Sequence, residues 1–115
     1  MGVVCDDEEI QRTLPHIVVV NEHMRTAEVY LRLAPQLPDC VQLWKRKSSW
    51  LNVDAMCDVV KALGECLEPY RDTHQSILRL DACQVHLNAK VWRAAKNWNM
   101  LMFVYQQQLR IACNL

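Results

Sequence analysis

The chain has 115 residues, 51% of them hydrophobic and 23% charged, with 13 basic and 13 acidic side chains giving zero formal net charge. That balance is too apolar for a disordered chain, and the length suits one domain, residues 1–115, with no room for a second core of useful size. Neutrality argues against strong overall steering toward nucleic acid or an anionic membrane. Two glycines and four prolines supply too few turn residues for an all-β fold.

Helices are therefore expected. Asp6 with Glu9 forms a capping box that opens a short first helix, and Leu14-Pro15 closes or bends it. From Pro15 to about Leu33, Val20, Met24, Ala27 and Leu31 recur at spacings of four, three and four, the stripe of an amphipathic second helix that Pro35 stops. A short third helix from about Asp39 to Lys47 takes its apolar content from Val41, Leu43 and Trp44. Lys45, Arg46 and Lys47 complement the dipole of its last turn. Asn52 caps a fourth helix with Asp54 in its first turn and Val53, Met56, Val60, Leu63 and Leu67 as its buried stripe. Gly64 weakens that helix and Glu68-Pro69 ends or kinks it.

A second capping box, Asp72 with Gln75, opens the last helical pattern. Leu87, Val91, Ala94, Trp98, Leu101, Tyr105 and Ala112 follow three-four spacing toward the C-terminus. A helix from Asp72 to Ala112 would extend about 60 Å at about 1.5 Å per residue, which calls for a kink or a protruding end. The expected fold class is all-α, a bundle of four or five helices with a long C-terminal helix.

Motifs that carry chemistry are few. The sequence holds no Gly-rich phosphate loop, no Gly-x-Ser-x-Gly elbow, no His-Glu-x-x-His and no Glu-x-x-His pairs of the di-iron kind. Of the ten cysteines and histidines, Cys83 and His86 form the closest zinc-like pair, but no second pair accompanies them. A buried Cys83 beside a solvated His86 is the expectation. A Cys66–His74 nucleophile pair has nothing to activate it. No catalytic residue, cofactor or metal is assigned, and the chain is read as a non-enzyme. The first residues carry no secretory pattern, and several cysteines occupy apolar positions. Reduced cysteines and an intracellular place, cytoplasmic or nuclear, follow, although a mature secreted fragment would look the same. The longest apolar runs, Ile17–Val20 and Met100–Tyr105, fall far short of a membrane span.

Two binding readings remain. The leading one is a protein–protein interaction module, a small subunit or adaptor that self-associates or docks on a partner through its C-terminal helix, with Trp92, Trp98, Met102, Phe103 and Tyr105 at the interface. Val91 joins them as core or interface. The alternative is a helical binder of duplex RNA or DNA that uses Lys45, Arg46 and Lys47 between Trp44 and Trp50, together with Lys90, Arg93 and Lys96.

Overall fold

Three stretches expected in helices contain extended strands, and the reason is local side-chain chemistry. The computed structural model describes residues 1–21, 28, 32–47 and 51–105 and divides into two compact units, Met1–Leu51 and Asn52–Leu115, each taken here by itself. The all-α bundle of four or five helices is overturned. Among the described residues there are three α-helices with complete bounds, further helical residues at Glu28, Arg32 and Leu33, and four strands paired into two two-stranded parallel sheets.

In the first unit, α1 (Glu8–Gln11) is capped by Asp7, whose Oδ1 accepts from the Ile10 amide at 3.1 Å. The cap is thus one residue later than the expected Asp6. Gln11 ties the N-terminal residues to this helix: its side-chain amide donates to the Val3 carbonyl at 2.9 Å and its Oε1 accepts from the Cys5 amide. Pro15 then precedes β1 (His16–Asn21) rather than a second helix. Ile17, Val18, Val19 and Val20 are consecutive β-branched residues, which lose rotamer freedom against a helical turn and pack well on a pleated surface. Strand β2 (Val41–Arg46) replaces the expected third helix and pairs with β1 in parallel, from His16 opposite Val41 to Asn21 opposite Arg46. Lys45 and Arg46 therefore sit in a strand and Lys47 just beyond it. Of the expected second stripe, Val20 lies in β1, while Met24, Ala27 and Leu31 fall outside the described residues, as does Trp50.

In the second unit, α2 (Val53–Leu67) matches its expectation. Asn52 Oδ1 accepts from the Ala55 amide at 2.8 Å, and Ala55, Met56, Val59, Val60, Leu63 and Gly64 are buried. A 3-10 turn, Glu68–Tyr70, forms at Pro69. The pattern expected to continue as one long helix from Asp72 breaks into β3 (Ser76–Asp81), α3 (Ala89–Asn97) and β4 (Met100–Tyr105). Strands β3 and β4 pair in parallel, from Ser76 opposite Met100 to Asp81 opposite Tyr105. Helix α3 packs against α2 and against β4.

The three-four spacing is genuine within α3, where Val91 and Ala95 are buried, but its continuation is a coincidence of two periods. From Met100 onward burial alternates instead: Met100, Met102 and Val104 turn inward, while Leu101, Phe103 and Tyr105 are exposed. That is the period of a strand with one covered face. Asn99 makes the switch. Its φ of 56° is left-handed, the conformation that ends many helices and that asparagine tolerates better than other non-glycine residues. The Asn99 amide donates to the Lys96 carbonyl at 3.0 Å and the Trp98 amide to the Ala95 carbonyl at 3.1 Å.

Gly64 has a packing role besides its weak helix propensity. A Cβ placed there would fall well inside contact distance of the Trp98 ring, at Cγ, Cδ2 and Cε3, so the absent side chain is what lets the indole lie on α2. Gly64→Ala gains up to about 1 kcal/mol in helix propensity but should lose about 1–3 kcal/mol to overpacking. Thermal unfolding should show a net loss of stability, and the same change in a Trp98→Ala background should be neutral or favourable. Asn99→Gly should be tolerated, whereas Asn99→Val should cost about 1–2 kcal/mol by denaturant titration.

Candidate functional site

Because β3 and β4 are parallel, their carboxyl ends lie on one edge, with Asp81 opposite Tyr105. Ligands of open α/β sheets bind outside such edges, where loops leave the strands. The loop leaving β3 is held by backbone bonds: the Cys83 amide donates to the Asp81 carbonyl at 2.9 Å, and the His86 and Leu87 amides donate to the Cys83 carbonyl at 3.1 and 3.3 Å. This turn folds the His86 ring back onto the strand end. Its Nδ1 lies 2.8 Å from the Asp81 carbonyl oxygen and 2.9 Å from Asp81 Oδ1, so the proton belongs on Nδ1, between two acceptors. The other support comes from α3, whose Trp92 donates its indole N–H to the His86 carbonyl at 2.8 Å.

The expectation for this pair is reversed. His86 is the buried member, 9% exposed, and Cys83 is half-buried. Neither stands on a helix. A carboxylate oxygen of Asp81, the Cys83 thiol and a ring nitrogen of His86 lie within 4.8 Å of one another. Asp81 itself was not anticipated. Its signal is the alternation of Leu78-Arg79-Leu80-Asp81, a strand ending in a carboxylate and followed at short spacing by Cys and His.

The outward face of the same sheet is apolar. Ile77, Leu101, Phe103 and Tyr105 are 43–59% exposed. The Phe103 and Tyr105 rings meet edge to face with centroids 5.6 Å apart, and the Arg79 guanidinium lies 4.8 Å from the Tyr105 centroid. The five residues expected at an interface thus separate. Phe103 and Tyr105 share this outer face, on a strand rather than a helix. Met102 points to the opposite, covered side, and Trp98 packs on Gly64. Trp92 is exposed on α3 with its N–H committed to His86. Ile77 and Leu101 are additions; β4 is apolar at every position, so only the burial pattern of the folded strands separates its two faces.

The six basic residues also fall into two groups. Lys45, Arg46 and Lys47 belong to the first unit, where Arg46 lies 5.3 Å from the Trp44 ring centroid. Lys90, Arg93 and Lys96 are exposed at every third position of α3, a helix with no acidic residue. Of the discarded nucleophile pair, His74 Nδ1 contacts Thr73 Oγ1 at 2.8 Å, and its ring sits edge-on to Tyr70. Burial, reinforced by the Glu65 carboxylate, pushes the Cys66 thiol above its ordinary pKa, opposite to what a nucleophile requires.

No protein-family profile, characterised protein or solved structure matches this chain. Among the described residues no helix is long and apolar enough to cross a membrane.

Trp92→Phe keeps an aromatic ring and removes the bond to His86; it should cost about 1 kcal/mol in denaturant titration. Alkylation by iodoacetamide at mildly alkaline pH, followed by peptide mass mapping, should find exposed Cys40 modified faster than Cys66, whose thiol stays protonated to higher pH.

Proposed function

We propose that this chain is a protein-interaction module that docks through the outer face of β3–β4. The supporting observation is the exposure of Ile77, Leu101, Phe103 and Tyr105 together on a parallel sheet. Parallel sheets are ordinarily covered on both faces, and here α3 packs on β4 while these four side chains remain in water. Aromatic residues and arginine are the types enriched at interface centres, and Phe103, Tyr105 and Arg79 supply them. The simplest occupant is the same face of a second copy, because a self-complementary apolar patch makes a two-fold contact. The five described cysteines are all free thiols, which suits the reducing cytoplasm or nucleus as the place of action.

Mass in solution by light scattering tests the proposal. The expected result is a species of twice 13.4 kDa, returned to the monomer by Phe103→Ser, with a loss of affinity of roughly thirtyfold or more if Phe103 is a central anchor worth about 2 kcal/mol. A chain that stays monomeric at high concentration, and whose solubility Phe103→Ser does not improve, overturns the reading.

The exposed row Lys90, Arg93 and Lys96 favours one second reading, a duplex nucleic acid held by its phosphates. Replacing all three by alanine should then lower the slope of log affinity against log salt by about 2.7, at about 0.9 per phosphate contact. Absence of any shift with duplex RNA or DNA at low salt removes this reading.

A further inference from the structure

We propose that Asp81, Cys83 and His86 form a binding site for a divalent transition-metal ion of the zinc class at the carboxyl edge of β3, with one coordination position open to solvent. The ligand set comes from one short segment, Asp-x-Cys-x-x-His, and its three donor atoms already lie within 4.8 Å of one another. Nitrogen, thiolate and carboxylate donors together match zinc or cobalt, whereas magnesium and calcium call for oxygen ligands throughout. Three protein ligands leave the fourth tetrahedral position vacant, which is the arrangement of open rather than purely structural zinc sites.

The loop is prepared for this role before any ion arrives. The Cys83 carbonyl is fixed by the His86 and Leu87 amides, and the Trp92 indole N–H holds the His86 carbonyl. These bonds position two of the three donors without using their ligating atoms, the part that supporting residues play around metal centres. Burial of His86 restrains its ring on the inner side, and Asp81, whose side chain is 63% exposed, leaves the outer side to water. Charge also balances: one carboxylate and one thiolate offset a divalent cation, with the imidazole neutral. On binding, the Cys83 thiol gives its proton to solvent. The His86 Nδ1–H stays on the Asp81 carbonyl, which leaves Nε2 as the nitrogen offered to the ion.

The test is a titration of the reduced full-length chain with cobalt(II). The expected result is one ion per chain, with thiolate-to-cobalt charge transfer in the near ultraviolet and visible bands of the four-coordinate ion, both bleached by added zinc. Cys83→Ser should abolish the charge-transfer band, Asp81→Asn should weaken binding roughly tenfold or more, and Cys66→Ser should leave both bands unchanged. Asp81→Asn keeps an oxygen acceptor and the backbone carbonyl for the His86 Nδ1–H, and Cys83 is half-buried, so both variants should unfold near the wild-type temperature, which a thermal melt without metal checks. Absence of a charge-transfer band in the wild-type chain, or its survival in Cys83→Ser, overturns the proposal.

Discussion

Everything of interest in the second unit depends on the parallel pairing of β3 with β4. Two parallel strands must be joined by a crossover that carries the chain back to the starting edge, and here that crossover is the 82–88 loop and α3. The return is abrupt: only Trp98 and Asn99 separate the end of α3 from the first residue of β4. A left-handed residue reverses the chain there without further loop, and Trp98, lying on Gly64, anchors the turn to α2. Pairing then fixes register, and register sets what stands on each side: Met102 and Val104 with Leu78 and Leu80 turned inward, Phe103 and Tyr105 with Arg79 and Asp81 outward.

How much of this was legible depended on whether a segment's signals agreed with one another. Helix α2 was readable because a cap at Asn52, an apolar stripe and a proline stop all point to the same structure. The strands were hidden by ambiguity of period. Leu87, Val91, Ala94, Trp98, Leu101 and Tyr105 satisfy a helical spacing across an α3–β4 boundary, since β4, Met100–Tyr105, is apolar or aromatic at every position and so supplies apolar residues at any interval. The discriminating signals were compositional. Four β-branched residues in succession marked β1, and Asn99 marked the break that no proline announced. The scarcity of glycine, taken as evidence against strands, excludes only hairpin-rich sheets. Parallel pairs joined by helices have no tight hairpins to build.

The candidate site was half visible for the same reason. Phe103 and Tyr105 were singled out as bulky residues too numerous for one buried helix face, and the strand exposes them on a sheet. Cys83 and His86 form a pair three residues apart that, on a helix, would need ligands from another element. In the observed loop the missing donor is supplied from within, by the carboxylate that ends the preceding strand. Proximity along the chain concealed Asp81, since its relation to His86 exists only once the turn at Cys83 is formed.

The apolar face and the donor cluster are consequences of one pleat. Ile77, Arg79 and Asp81 are alternate residues of β3, so the periodicity that exposes Ile77 beside Leu101 also brings Asp81 to the same side at the strand's end. A partner covering Phe103 and Tyr105 would reach the surroundings of Asp81, which lies opposite Tyr105. Removing water there would strengthen the hydrogen bond between the His86 ring and Asp81, because the local dielectric falls. If the outer face docks a partner as proposed, that partner would change the surroundings of Asp81 even where it contributes no ligand of its own.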